Sequence, residues 1–248
     1  MASVPADPLA ELARLEGVPS ALAAARDTVD AVLRDRGRRR LSPEQTASAL
    51  LAAARASAAL EVDHEQRDWL PGTMRLYVEV PDLARLIRVA PGQAIARAHA
   101  LLGRGVLEDD QLGRVRAEDD LGTRLASLQQ TLSAKTEAPV IVVAGIAHAE
   151  LLTLAPFVAG NGIVARAVEH LVLISGEVDP AAVIVPEAAH RALERDYRWA
   201  LERYRTGTAA GVRDWLLHVA AAVSKGAELS GLSPAGRRPA PRSGPSGR

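Results

Sequence analysis

The chain has 248 residues, of which 48% are hydrophobic but only 3% aromatic, so its core must consist mainly of Ala, Leu and Val side chains. Thirty basic residues balance thirty acidic ones, which argues against nucleic acid or a membrane surface as a partner. The chain has no cysteine, and this excludes disulfides, thiolate metal sites and cysteine nucleophiles.

The length indicates one substantial domain with appendages. We expect a helical N-terminal extension over residues 1–41, a core domain over 42–228, and a disordered tail over 229–248, which is rich in Gly, Pro, Ser and Arg. Charged residues interrupt the apolar ones near Met1, unlike in a signal peptide, and no later apolar run is long enough to span a bilayer. We therefore expect a cytoplasmic protein.

Helical spacing of the apolar residues predicts a mainly α-helical fold. The predicted helices cover residues 8–33 (as two short helices), 43–62, 91–102, 121–133, 140–154, 163–174, 186–204 and 212–223. The start of the helix at 43–62 is the clearest, because Ser42 can cap it and Pro43 suits a first helical turn. Two segments are ambiguous: 76–80 fits a short strand or a helix, and 140–143 alone would fit a buried strand.

A break made of proline and glycine separates two of the predicted helices. Within it, Gly160, Asn161 and Gly162 precede a helix start, where glycines allow close backbone approach and free amide groups attract anions. Arg166, about one turn into the following helix, could reach the same anion. On spacing alone, an ordinary helix-to-helix turn with a surface arginine explains these residues better than a phosphate site does.

The wider segment changes that weighting, because it resembles the Fic family signature, HPFx(D/E)GNGRxxR. The matching residues are Pro156-Phe157-x-x-Gly160-Asn161-Gly162-x-x-x-Arg166. Weaker resemblance extends over about residues 42–226. It implies the Fido fold of that family, a helical core in which the loop between two helices binds nucleotide phosphates. The resemblance therefore implies Gly160, Asn161, Gly162 and Arg166 as phosphate-binding residues, with ATP or another nucleotide as the candidate ligand.

A second motif, Ser57-x-x-x-Glu61, is similar to the inhibitory helix motif S/T-x-x-x-E-G/N of some Fic proteins, although Val62 replaces the small last residue. In those proteins the glutamate pairs with the second signature arginine and displaces the terminal phosphate of the nucleotide. The resemblance implies a contact between Glu61 and Arg166 and a regulatory role for Ser57 and Glu61. By itself the pattern is common, and Glu61 would then be a solvated helix residue.

The departures from the signature concern the chemistry. The family transfers AMP to a protein hydroxyl with the signature histidine as general base, and this position is Ala155. The acidic metal ligand corresponds to Ala159 and the first arginine to Ile163, so magnesium has no protein anchor here. We assign no catalytic residue with confidence. His148, about two turns before Ala155, is the nearest alternative base, although such an imidazole is more usually a packed core residue.

The flap is the other departure. Fic proteins have a β-hairpin flap that clamps the backbone of the target protein, whereas only a few residues, mostly acidic, lie between Arg116 and Leu121. We therefore expect a Fido-fold helical core with an N-terminal helical extension and a flap hairpin that is reduced or absent.

The first hypothesis for function is a catalytically degenerate Fic-like protein, a pseudoenzyme that acts as a regulatory or protein-interaction module. The second is a sensor of a nucleotide or another phosphate ligand that uses the retained glycine loop. The third is a residual AMP-transferase or other nucleotidyltransferase. We expect a protein partner and neither nucleic acid nor a membrane, and the Ala-rich faces of 43–62 leave a homodimer open.

Overall fold

A computed structural model describes residues 7–36 and 42–230 of the chain, so most of the tail predicted at 229–248 lies outside the described residues. The described ranges are helical and contain no strand. In chain order the α-helices are α1 (Pro8–Leu12), α2 (Val18–Arg36), α3 (Pro43–Leu60), α4 (Leu70–Val78), α5 (Val80–Leu86), α6 (Pro91–Gly103), α7 (Leu121–Ser133), α8 (Val140–Leu154), α9 (Asn161–Ser175), α10 (Pro186–Ala192), α11 (Glu194–Arg205) and α12 (Ala209–Leu229). The predicted mainly α-helical class is confirmed.

Helices α8 and α9 form the centre of the fold and pack against each other. Both are buried on nearly every face, and most of their residues are apolar. Helices α3, α5 and α6 pack against α9, whereas α7 and α12 pack against α8. None of the described helices combines the length and apolar content that a membrane span requires.

The two ambiguous segments are both helical. Residues 76–80 belong to the end of α4 and the start of α5, which meet at Glu79. Residues 140–143 form the first turn of α8, where Pro139 precedes the helix. Between α6 and α7 the chain forms a 3-10 turn at Asp109–Gln111. The described residues therefore have no flap hairpin at this place, in agreement with the prediction.

The structure has the two helices predicted at 8–33, but the prediction that both are short is wrong. Helix α1 has 5 residues, but α2 has 19 residues and continues to Arg36. One face of α2 is buried, and its residues follow helical spacing: Val18, Leu22, Ala25, Val29 and Val32. This face packs against α12, and Arg213 Nε on α12 donates a hydrogen bond to the Glu16 carbonyl at 2.7 Å.

The single helix predicted at 186–204 is wrong, because the chain breaks into α10 and α11 at Leu193. Neither glycine nor proline marks this break in the sequence. Two turns of a straight helix would separate His190 and Tyr197 by about 10 Å along its axis. The observed ring centroids are 4.8 Å apart. The break therefore lets both rings enter the same part of the core.

A buried polar network fastens α4, α9 and α10 together. Glu187 on α10 accepts hydrogen bonds from the Tyr77 hydroxyl at 2.8 Å and from His170 Nδ1 at 2.9 Å. Burial would lower the pKa of His170, but the Glu187 and Asp179 carboxylates raise it to about 10. His170 is therefore a buried cation at neutral pH, and it is held in place by an opposite charge.

Candidate functional site

The site is built on the loop between α8 and α9. Helix α8 ends at Leu154, and Ala155 and Gly160 both have left-handed backbone conformations, with φ of 44° and 73°. The Asn161 side chain closes the loop, because its Oδ1 accepts from the Phe157 amide at 2.9 Å and its Nδ2 donates to the Phe157 carbonyl at 2.8 Å. Both polar atoms of Asn161 therefore shape the loop.

A carboxylate of the protein itself occupies the anion-attracting end of this loop. Glu61, directly after α3, accepts a hydrogen bond from the Gly162 amide through Oε1 at 3.3 Å. Its Oε2 forms an ion pair with Arg166 Nη2 at 2.9 Å. The Arg166 side chain is 2% exposed and the Glu61 side chain is 8% exposed, so water screens this pair poorly. The contact expected between Glu61 and Arg166 is present.

Arg166 makes three further hydrogen bonds. Its Nε donates to Ser57 Oγ and its Nη2 to the Ser57 carbonyl, both at 2.9 Å, and its Nη1 donates to the Tyr197 hydroxyl at 3.4 Å. Burial would lower the pKa of Arg166, but Tyr197 and Glu61 raise it. The guanidinium therefore stays charged and joins α9 to both α3 and α11.

Because Gly162 has no side chain, the Glu61 carboxylate can approach the loop backbone. A Cβ atom at this position would lie 2.4 Å from Glu61 Oε2 and 3.1 Å from Arg166 Nη1. Both distances are too short for a non-bonded contact to remain unchanged. Any side chain at Gly162 would therefore displace the carboxylate from the loop.

Solved structures share this architecture. A Fic family protein from Desulfovibrio desulfuricans G20 matches with a TM-score of 0.69 and 18% identity, over 84% of this chain and 73% of that one. Fic-1 (residues 134–508) from C. elegans matches with a TM-score of 0.61 and 17% identity, over 91% of this chain and 77% of that one. A variant of the same Fic-1 segment matches with a TM-score of 0.57 and 17% identity, over 84% and 71% of the two chains.

The chain has the Fic (Fido) fold. At these identities the likeness shows the fold alone. No protein-family model and no curated protein sequence matches the chain.

Next to the loop of this Fic fold lies the segment that replaces the flap. The Arg116 amide donates to the Pro156 carbonyl at 2.8 Å, and Arg116 Nε donates to the Ala155 carbonyl at 2.9 Å. Its guanidinium also contacts Glu118. Arg116 marks the start of the predicted short flap. Nothing in the sequence, however, indicates that it bonds the loop carbonyls.

His99 on α6 connects the same two segments. Its ring stacks on Phe157 with centroids 3.9 Å apart and planes 5° apart. The Gly113 amide donates to His99 Nδ1 at 2.9 Å, so Nε2 carries the hydrogen and donates to the Ala159 carbonyl at 3.2 Å. Burial lowers the pKa of His99 to about 4. His99 is thus a neutral structural support for the loop.

His148, the alternative base, lies in the protein interior and not at the loop. It is 0% exposed, its Nδ1 contacts Glu169, and its Nε2 bonds the Tyr197 hydroxyl at 2.9 Å. Burial lowers its pKa to about 4. Both of its ring nitrogens therefore already have protein partners.

A cleft opens beside the glutamate. Its volume is about 520 Å³, and Gly162, Arg166 and Glu61 contribute to its wall. Two further arginines of α11, Arg198 and Arg205, also line it. The structure thus brings Ser57, Glu61, Gly162 and Arg166 together as the sequence predicted, with Gly160 and Asn161 shaping the loop behind them. Their functional roles stay predictions.

Proposed function

We propose that this chain is a non-catalytic module with the Fic fold that acts through a protein partner and has its phosphate loop closed by its own Glu61. The observation that carries the proposal is the combination of a preserved loop shape with a protein carboxylate on its anion donors. Glu61 bonds the Gly162 amide and Arg166, as a phosphate oxygen would.

The lack of a general base at the signature position supports the same function. AMP transfer requires a group that takes the proton of the attacking hydroxyl, and Ala155 offers only a methyl group. The imidazoles of His99 and His148 are both 0% exposed and bonded through both ring nitrogens. Neither imidazole is therefore free to act as the base.

Magnesium, which the fold family uses, does not fit the residues present. This ion needs oxygen ligands, usually from one or two carboxylates together with phosphates. The position of the acidic ligand is Ala159, whose side chain is a methyl group, and Glu61, the carboxylate that α3 brings to the loop, is paired with Arg166. Neither position therefore offers magnesium a free carboxylate.

An AMP-transfer assay tests the proposal. The protein and its Glu61→Gly variant are incubated with ATP and magnesium, alone and with a cell lysate, and AMP adducts are sought by mass spectrometry. Removing Glu61 opens the loop but supplies no base, so we expect no adduct with either protein. An adduct that appears with Glu61→Gly, or with the wild type, would show that the fold is still catalytic.

A sensor for a phosphate ligand is the second candidate, and the cleft is the observation that favours it. Arg198 and Arg205 lie beside the donors that Glu61 now occupies, and they are paired with Glu194 and Glu202. An anionic ligand would compete with these glutamates for the two arginines once Glu61 moved. Such a ligand would compete with Glu61 for the Gly162 amide and Arg166.

Thermal unfolding with nucleotides separates the two candidates. A ligand at one hundred times its Kd stabilises the folded state by about 2.7 kcal/mol. A sensor would show a shift in Tm with ATP, ADP or GTP that grows in Glu61→Gly and falls in Glu61→Gly/Arg198→Ala/Arg205→Ala. If Glu61→Gly shows no shift with any nucleotide, the sensor is excluded and the protein-interaction module remains.

A further inference from the structure

A second cluster of chemistry-bearing side chains lies deep in the core, away from the loop. Glu169 in the middle of α9 contacts His148 on α8 and His190 on α10. All three residues are 0% exposed. The contact to His190 Nε2 is 3.0 Å long, and both imidazole nitrogens approach the same carboxylate oxygen, Oε2. Three helices thus each direct one metal-ligating group to a single point.

The spacing of these groups suits a metal ion. One ligand atom from each of the three residues lies within 4.8 Å of the ligand atoms of the other two. Ligands at 2.0–2.1 Å from a tetrahedral zinc ion are separated by about 3.3 Å. The distance of 3.0 Å between His190 Nε2 and Oε2 is close to this separation, whereas His148 Nδ1 would have to move away from Oε2 for an ion to enter.

The second oxygen of Glu169 supplies an independent observation. Oε1 is fully buried and has no hydrogen-bond partner in the described part of the chain. A buried carboxylate oxygen without a partner is costly. Asp179 Oδ1 and Glu187 Oε2, whose carboxylates face His170, are in the same state. A bidentate carboxylate on a cation would use Glu169 Oε1 and would bring the ligand set to two nitrogens and two oxygens.

In both histidines, the ring nitrogen that does not contact Glu169 also has a hydrogen-bond partner. His148 Nε2 bonds the Tyr197 hydroxyl at 2.9 Å, and His190 Nδ1 bonds His218 Nε2 at 3.0 Å. Metal-ligating histidines almost always have their other ring nitrogen bonded in this way, because the bond fixes the ring orientation. Tyr197 and His218 therefore occupy the positions of outer-shell partners.

The donor chemistry of the cluster suits a divalent transition metal as well. Imidazole nitrogens and carboxylate oxygens are both ligands of zinc, and imidazole also suits nickel. Arg166, one turn earlier on α9, is paired with Glu61.

We infer that His148, Glu169 and His190 form a structural binding site for one divalent transition-metal ion of the zinc, cobalt or nickel class. The ion would replace the shared protons between the carboxylate and the imidazoles and would join α8, α9 and α10. Because the three ligands are 0% exposed, the site has no open position for a substrate, which distinguishes a structural from a catalytic ion.

Metal content tests this inference directly. The tag-free protein is unfolded with a chelator, freed of metal, and refolded with or without one equivalent of Co²⁺. We expect one tightly held Co²⁺ per chain, a visible absorption spectrum of low-symmetry Co²⁺ with nitrogen ligands, and a Tm that is higher than that of the metal-free protein. A wild-type protein that retains no Co²⁺, Zn²⁺ or Ni²⁺ and shows the same Tm in both conditions overturns the site.

Two variants locate the ion. Glu169→Gln keeps the shape of the side chain but removes its charge, and we expect the Co²⁺ affinity to fall by about 100-fold or more. His99→Gln is the matched control, because His99 is equally buried but lies outside the cluster, and it should keep one equivalent. Full Co²⁺ binding by Glu169→Gln would place the ion elsewhere and refute the site. If that variant does not fold, the wild-type spectrum and stoichiometry still decide.

Discussion

Helix α9 carries two contrasting groups of residues. At its start, beside the open cleft, the signature position for an arginine is Ile163, and the preceding loop has Ala155 and Ala159 where the Fic signature has ionisable residues. In its middle, far from solvent, Glu169 and His170 are both ionisable and both engaged with other helices. These three signature positions are thus apolar, whereas ionisable residues in the middle of α9 connect it to its neighbours.

Substitutions in the two regions can therefore test whether their residues have different roles. If the interior groups hold helices together, their substitution should lower the free energy of unfolding. If the loop is kept for its shape, substitutions there should have smaller effects, which depend on Glu61. The following predictions run from the largest expected effect to the smallest.

The largest effect is expected for Glu187→Ala, which would remove the hydrogen-bond partner of His170 Nδ1 and of the Tyr77 hydroxyl and leave Asp179, at 3.8 Å, as the opposite charge of His170. Breaking a buried ion pair on one side costs about 3–5 kcal/mol. Chemical unfolding should show this loss, whereas Glu228→Ala, which removes an exposed carboxylate paired with Lys225, should cost less than about 0.5 kcal/mol. Equal losses of stability in the two variants would show that the interior ionisable groups do not hold the helices together.

An acid-dependent loss of stability is expected at His99. The unfolded chain binds a proton at this residue near pH 6.5, whereas the folded state, with a pKa of about 4, does not. Stability should therefore fall as the pH decreases from about 6.5 to about 4, by up to about 3 kcal/mol. In His99→Gln, which can keep both hydrogen bonds, the free energy of unfolding should depend less on pH over this range. Identical pH profiles would exclude His99 as the cause.

The pair between Glu61 and Arg166 should show a measurable coupling energy. A double-mutant cycle with Glu61→Ala and Arg166→Ala should give about 1–3 kcal/mol, because both side chains are nearly buried. The matched control is the exposed pair of Glu194 and Arg198, which should couple by about 0.3–0.5 kcal/mol. Additive effects of the first pair would mean that Glu61 does not close the loop in solution.

The smallest effect is expected at Ala155, whose φ of 44° is a left-handed conformation that costs a non-glycine residue about 1–2 kcal/mol. Ala155→Gly removes this strain but adds freedom to the unfolded chain, so we expect a net gain of about 0.5 kcal/mol. Thermal unfolding measures it. A loss of stability would show that the loop does not need the left-handed conformation at this residue.

Much of the fold could be predicted from the sequence, because the helices have regular apolar spacing and the loop has recognisable glycines. The site was reached through the resemblance, since Ser57 and Glu61 lie about one hundred residues before Arg166 and spacing alone does not connect them. The resemblance, and not the spacing, predicts the contact between Glu61 and Arg166.

Other features could not be predicted. The break at Leu193 has no glycine or proline, and it results from packing between helices distant in the chain. The cluster around Glu169 combines residues from three helices, so no local motif marks it. A signal did exist, because Glu169 and His170 are adjacent in a mainly apolar helix, and burial of such a pair requires polar partners.

The packing of α2 against α12 has a consequence for synthesis. Glu16 and Arg213, which are bonded to each other, lie 197 residues apart in the chain. At about 5–20 residues per second, α2 leaves the ribosome roughly 10–40 s before the helix that covers its apolar face. During this interval that face lacks the helix against which it packs. Nascent chains that stop before α12 should therefore be recognised by chaperones or proteases, so that the synthesis of α12 decides whether α2 is retained.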